Sequence, residues 1–224
     1  MDNSKWPAKS ALPFAIPGIK FIVLAIALTV ICFMFGWLFF AFLCFCITFF
    51  ICWFFRDPER VIPKDINSLV SPADGRILNI EKHEKYEYLS EKCTKISIFM
   101  SVFNVHVNRV PFDGLVQKVL YIPGKFINAS FDKASTHNER NALIIKTRSG
   151  IDFAVVQIAG LIARRIVNSV KANDNLKKGA RYGMILFGSR LELYLPDDFD
   201  VKVDVGEKTL AGSTIIGFFS EKKL

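Results

Sequence analysis

Hydrophobic and polar positions divide the chain into an uncharged front and an alternating remainder. No charged residue occurs from Phe21 to Phe55. As one helix this run would extend about 50 Å at 1.5 Å per residue, well past a hydrocarbon core of about 30 Å. Gly36 splits it into 21–35 and 37–55, which predicts two apolar helices that enter and return as a hairpin, crossing a bilayer fully or in part. Residues 1–20, with Pro7, Pro13 and Pro17, form a polar lead too short to fold alone. Beyond Pro63 the pattern shortens to alternating or apolar runs broken by Gly, Pro and Asn. Strands are expected at 76–81, 95–100, 115–122, 142–146, 152–159, 184–187, 190–195, 201–205 and 214–219, and one helix at 161–170. The expected fold class is α+β: a mainly β soluble domain over 56–224 with barrel-sandwich-like strands, preceded by the hydrophobic helical hairpin over 21–55.

Two of these strands meet in Gly183-Met184-Ile185-Leu186-Phe187-Gly188-Ser189-Arg190. The chain changes direction at Gly188-Ser189 and leaves as a strand in which Leu191, Leu193 and Leu195 alternate with Glu192 and Tyr194. In one reading Gly188 supplies a positive φ and Ser189 caps an ordinary turn. In the other, the Ser189 hydroxyl is held against the Gly188 carbonyl, whose missing Cβ leaves an approach to that carbon. Attack would turn the amide into an ester, elimination would cut the chain, and residue 189 would be left as a pyruvoyl group.

Composition adds a surface to this picture. The chain is 51% hydrophobic with 22 phenylalanines, and it carries a formal charge of +8 with a pI near 9.3. Lys5, Lys9 and Lys20 precede the apolar run and Arg56, Arg60 and Lys64 follow it, so both ends are expected on the cytoplasmic face of the inner membrane. A cleaved signal peptide should have an apolar region of about 7–15 residues and a small-residue cleavage site, whereas this run ends in Trp53-Phe54-Phe55-Arg56. The positive charge then points to an anionic membrane rather than to nucleic acid. Cys32, Cys44, Cys46 and Cys52 lie inside the apolar run and Cys93 is alone beyond it, which suggests neither a disulfide framework nor a metal site. No phosphate-binding glycine loop is present.

Candidate chemistry sits in turns. Ser71-Pro72-Ala73-Asp74-Gly75 places Asp74 in a turn, and Val105-His106-Val107-Asn108-Arg109-Val110-Pro111 places His106 next to Asn108 and Arg109. With three histidines in the chain, any acid or base work by imidazole falls to His83, His106 or His137. Lys125-Phe126-Ile127-Asn128 leads towards His137, Asn138 and Arg140; with Asn108 and Arg109, these last three are the candidates for gripping a polar, charged head group. Each turn also reads as ordinary structure or a solvated loop.

Together these segments resemble the short, pyruvoyl-dependent phosphatidylserine decarboxylase proenzymes of bacteria and archaea. The resemblance rests on Phe55-Arg56-Asp57-Pro58-Glu59-Arg60, Pro72-Ala73-Asp74-Gly75, His106-Val107-Asn108-Arg109-Val110-Pro111, Asn138-Glu139-Arg140, Gln157-Ile158-Ala159-Gly160 and Phe187-Gly188-Ser189-Arg190 with its lead-in from Arg181. It implies self-cleavage at Gly188-Ser189 into a β chain, 1–188, and an α chain, 189–224, that begins with the pyruvoyl cofactor. Asp74 and His106 resemble the groups implicated in self-cleavage and proton handling. The implied reaction is decarboxylation of phosphatidylserine to phosphatidylethanolamine through a Schiff base on that group, with no external cofactor and no metal. Longer members carry a second histidine where this chain has Arg109, and they cleave at a Gly-Ser-Thr sequence, so Gly212-Ser213-Thr214 competes as the cut site. A non-enzymatic alternative is a membrane-anchored adaptor with a biotinyl- or lipoyl-like barrel-sandwich domain. Monomer and homo-oligomer both stay open.

Overall fold

The computed structural model describes residues 12–83, 87–89, 92–128, 134–161, 165–186 and 188–220. Lys5, Lys9, Phe187 and residues 162–164 of the expected helix lie outside the described residues. The chain divides into two compact units, Met1–Glu59 and Arg60–Leu224.

In the first unit, α1 (Ile16–Met34) and α2 (Leu38–Phe54) form the expected hairpin. Pro17 opens α1, where its missing N–H costs nothing. The reversal is a Schellman cap: Gly36 takes φ +71°, its N–H donates to Phe33 O at 3.0 Å, and Trp37 N–H donates to Cys32 O at 3.0 Å. Thr29 and Thr48 share a hydroxyl hydrogen bond across the helices at 3.1 Å. Large apolar side chains point outward along both helices, Leu24, Phe33, Phe39 and Phe42 each being more than 65% exposed. By length and composition α1 can cross a membrane; α2, with 17 residues, is slightly shorter.

The second unit is β-rich. Its strands are β1 (Ser68–Val70), β2 (Gly75–His83), β3 (Cys93–Met100), β4 (Val107–Arg109), β5 (Gly114–Ile122), β6 (Arg140–Lys146), β7 (Asp152–Ile158), β8 (Ile166–Asn168), β9 (Asn175–Leu176), β10 (Arg181–Ile185), β11 (Ser189–Pro196), β12 (Asp200–Val201), β13 (Lys208–Thr209) and β14 (Ile215–Phe218). A one-turn helix, α3 (Ala134–His137), precedes β6. Among the described residues, eight strands form one antiparallel sheet in the order β13-β2-β3-β11-β7-β6-β5-β9, with two three-stranded sheets, β1-β14-β12 and β4-β10-β8, beside it.

The main core lies on one face of the large sheet. Ile96, Ile98, Leu191, Leu193 and Leu195 from β3 and β11 pack there with Leu69, Tyr182 and Ile216 from the two small sheets. A second cluster occupies the opposite face, with Tyr194, Ala154, Val156 and Ala142 beneath Tyr88. Strand β11 is therefore buried on both faces, which places Ser189 at the first position of a central, two-sided strand.

Two expectations change. The described part of 161–170 contains strand β8, held by pairing with β10, and not a helix. The region expected as one strand at 201–205 is a two-residue strand, β12, followed by a turn at Asp204–Glu207 closed by Glu207 N–H to Asp204 O at 3.1 Å.

Candidate active site

Ser189 lies where the ends of five strands are aligned. In register, Arg76, Phe99, Arg190, Ile158 and Arg140 form one row across β2, β3, β11, β7 and β6, and Ser189 pairs with Met100 at the next position. Gly188 takes φ +55°, a left-handed conformation that suits glycine. Among the described residues other than its chain neighbours, a Cβ there would meet nothing closer than Val102 Cγ1 at 4.0 Å, so one side of the Gly188 backbone is open.

Ser189 is fully buried, and its hydroxyl donates to the Met100 sulfur at 3.4 Å. A thioether is a weak acceptor, so little holds the hydroxyl in that direction and rotation towards the preceding carbonyl is cheap. Behind the sulfur runs a buried amide chain. Asn141 Nδ2 donates to Gln157 Oε1 at 3.3 Å, Gln157 Nε2 to Asn108 Oδ1 at 2.9 Å, and Asn108 Nδ2 to Met100 Sδ at 3.8 Å. Each amide fixes the orientation of the next, and the chain ends on the sulfur that Ser189 touches.

The loop after β3 carries His106. Asn104 Oδ1 accepts from the Ser101 N–H and hydroxyl, both at 2.8 Å, which tightens the loop. His106 is fully buried, with Nδ1 2.9 Å from Asn104 O. A carbonyl accepts only a protonated Nδ1, so in the neutral ring Nε2 is the basic nitrogen.

Asp74 lies one residue before β2, two strand spacings or about 10 Å from β11. Its carboxylate accepts from Arg60 Nη2 at 2.7 Å and from the Ala211 N–H at 2.8 Å. The latter contact joins it to the turn that contains Gly212 and Ser213. Arg109 belongs to the same corner: its N–H donates to Pro72 O at 2.9 Å and its Nη1 to Gly179 O at 2.9 Å. The Ser213 hydroxyl donates to Val61 O at 3.0 Å and its N–H to Leu210 O at 3.1 Å, the bonding of an ordinary turn.

The remaining residues expected to grip a head group form a frame. Asn138 is fully buried, with Nδ2 donating to Ile127 O at 2.8 Å and Ala159 O at 2.7 Å, while Oδ1 accepts from Ile127 N–H at 3.0 Å. Arg140 reaches Tyr88 OH at 3.0 Å and Thr136 O at 2.8 Å; burial opposes its charge, but Tyr88 and Glu87 beside it push its pKa above the ordinary value. His137 is exposed at the end of α3, with Nδ1 2.9 Å from the Thr136 hydroxyl. The structure thus brings Asn108 and Ser189 to the same Met100 sulfur and sets Asp74 in the corner that holds Arg109.

Sequence reasoning gave no site role to Met100 or Asn141, placed Gln157 only in a family motif, and read Arg60 only as a basic flank of the apolar run and part of a family motif. Gln157 carries a readable signal, a lone amide inside an otherwise apolar strand. The contacts of Arg60 with Asp74 and of Met100 with Ser189 carry none, because only long-range pairing brings them together. Among the described residues no cluster of His, Cys, Asp and Glu could hold a metal ion.

A family model described as phosphatidylserine decarboxylase matches residues 47–217. The chain is 53% identical to the phosphatidylserine decarboxylase proenzyme of Syntrophus aciditrophicus over 172 residues, covering 77% of this chain and 81% of that protein. It is 46% identical to the proenzyme of the same name from Geotalea uraniireducens over 205 residues, 92% of this chain and 96% of the relative. The one from Burkholderia ambifaria is 54% identical over 167 residues, 75% and 78% of the two chains.

Proposed function

The chain belongs to the phosphatidylserine decarboxylase family, and from that premise we propose that it converts phosphatidylserine to phosphatidylethanolamine and CO2 after cutting itself between Gly188 and Ser189. The observation that carries the cut site is Ser189 itself: a buried hydroxyl at the head of a central strand, behind a glycine in a left-handed conformation with an open side. The adaptor alternative is not favoured.

Self-cleavage begins when Ser189 Oγ attacks the Gly188 carbonyl carbon, so that a C–O bond replaces the C–N bond and the amine of residue 189 is freed. Loss of the residue 189 Cα proton expels the Gly188 carboxylate and leaves a dehydroalanine. Water then replaces its nitrogen, releasing ammonia, and a pyruvoyl carbonyl remains at the start of the α chain, 189–224, with 1–188 as the β chain. When formed, that group supplies an electron sink for the substrate α-carbon, a task otherwise given to an external cofactor.

The chain's own residues supply the rest. His106, with Nδ1 held by Asn104 O, moves protons at Nε2: it accepts one during self-cleavage and returns one to the substrate α-carbon after CO2 leaves. Asp74 is the acidic partner of this chemistry, paired with Arg60 at 2.7 Å. Asn108 contacts the head group nearest Ser189 and His137 reaches it from the exposed end of α3, while Arg109, Asn138 and Arg140 act through the backbone that they hold. Phosphatidylserine keeps its acyl chains in the bilayer, so the apolar hairpin and its basic flanks hold the enzyme at an anionic membrane, on the cytoplasmic face of the inner membrane.

Denaturing mass spectrometry of the purified protein tests the cut. Two fragments separated between residues 188 and 189 are expected, the smaller with a blocked N-terminus; one intact chain in active protein would overturn the reading. Ser189→Ala should stay whole and inactive while Ser213→Ala still cleaves, and the reverse pattern moves the cut to Gly212-Ser213. Turnover of dispersed phosphatidylserine, against none with free serine, tests the substrate.

A further inference from the structure

The face of β11 opposite Ser189 carries a charged network with no place in the chemistry above. Arg190 is fully buried and Glu192 is 1% exposed. They form an ion pair at 2.9 Å. Arg190 Nη2 donates to the Ser97 hydroxyl at 2.7 Å and lies 3.5 Å from Asn79 Oδ1. Glu192 Oε1 accepts from Ser135 at 2.7 Å and Ser97 at 3.3 Å, and Oε2 accepts from Tyr194 OH at 2.6 Å. One strand thus fastens itself through two buried charges to β2, β3 and α3.

A buried pair of this kind seldom adds stability over apolar residues of the same size, so its presence calls for another reason. Position supplies it. The pair begins one residue after the bond that the proposed reading cuts. A strand that begins at a fresh chain end frays, because its first residues lose the restraint of the chain before them. The reacting carbonyl, however, must stay within a fraction of an ångström of its working position. Backbone pairing of Ser189 with Met100 and of Arg190 with Phe99 and Ile158 supplies part of that restraint. The side chain of Ser189 cannot supply more, since it is the group that is consumed.

We infer that Arg190 and Glu192 are positioning residues that clamp the head of β11 after self-cleavage, an inference that rests on the cut at Gly188-Ser189. The clamp grips from the face away from the substrate, so it holds the new chain end without occupying the site. Before the cut the continuous chain does the same work, and the pair is largely redundant. This difference between precursor and mature enzyme separates positioning from simple stabilisation.

The test removes both charges together, as Arg190→Met with Glu192→Gln, so that neither is left buried alone. Hydrogen exchange of the 189–196 segment is then measured in the mature protein and in the same variant made uncleavable by Ser189→Ala. Exchange at the head of the strand should be about tenfold faster in the mature variant than in its precursor, and kcat on phosphatidylserine should fall about 10- to 100-fold with KM within about threefold. Ser135→Ala, which removes one neutral donor, should show the same pattern more weakly, and it carries the test if the double variant does not fold. Arg190→Lys with Glu192 retained should recover part of kcat. Equal acceleration in precursor and mature forms, or unchanged exchange and kcat in both variants, overturns the inference. Absence of the 188/189 cut in unsubstituted protein overturns the underlying reading instead, and mass spectrometry of the same samples tells the two failures apart.

Discussion

Tyr182 carries a hydroxyl into the main core, where among the described residues it finds no hydrogen-bond partner. Burial pushes the phenol far above its ordinary value, because the charged form cannot be hydrated there. The folded pKa is therefore above the unfolded one. Its contribution to stability is complete below about pH 10 and is lost as pH rises beyond that, when only the unfolded chain can ionise. Tyr182→Phe removes the orphan group, and urea unfolding at pH 7 should show the variant equal in stability or firmer by about 1 kcal/mol. The variant should also lose less stability than the parent between pH 9 and pH 11. A loss of more than about 2 kcal/mol at pH 7 would mean that the hydroxyl is bonded in solution. Gln157 and Asn108 make the contrasting case, for their buried amides are bonded to each other, to Asn141 and to Met100. Gln157 is visible in the sequence as a polar break in an apolar strand; its partner is not, since 49 positions separate the two.

Among the elements, β10 decides how the amide chain is held. It pairs with β4 on one side and β8 on the other, and Gly183 lets Gln157 pass beneath it. A Cβ at Gly183 would stand 2.5 Å from Gln157 Nε2 and 2.9 Å from Val167 O. Gly183→Ala should therefore displace Gln157 from Asn108 and slow self-cleavage about tenfold or more. A time course of fragment formation on denaturing gels checks this, and cleavage at the parental rate would remove the amide chain from the mechanism. The longer strands were legible because alternation marks them: 76–81, 95–100 and 190–195 all fall within observed strands. Short ones were not. Strands β4, β8, β9 and β13 have two or three residues each, too few for a period to show, and pairing partners alone make them strands. The same reason explains the misread helix at 161–170, where a weak apolar pattern yielded to the edge of β10.

At the scale of the whole molecule, the apolar hairpin and the β-rich unit present surfaces suited to different media. Phenylalanines that point outward on both helices would be costly in water and are at home in hydrocarbon. Removing 1–59 should therefore shift the protein from the membrane fraction to the soluble fraction on sedimentation. Turnover of long-chain phosphatidylserine in vesicles should fall about tenfold or more, while turnover of a dispersed short-chain substrate is retained. If the shortened protein still sediments with membranes, the hairpin is not the anchor. On the proposed reading the basic flanks add a smaller contribution, which added salt should weaken.

Local rules were enough to split the apolar run at Gly36, to mark the long strands and to single out Gly188-Ser189 as a bond of interest. A left-handed glycine and a two-residue period both act between near neighbours, so they can be read along the chain. What covers each face of a strand cannot. Alternation in β11 would ordinarily leave Arg190, Glu192 and Tyr194 in water, yet Ser97, Ser135 and Tyr88 close over them and turn a polar stripe into a buried clamp. Tertiary structure alone also joined Asp74 to Arg60 and Ala211, and Ser189 to Met100, because those contacts depend on which strands pair across the sheet. The serine was visible from the start; its burial between two cores, with a charged anchor on the reverse side of its strand, is a property of the assembled fold.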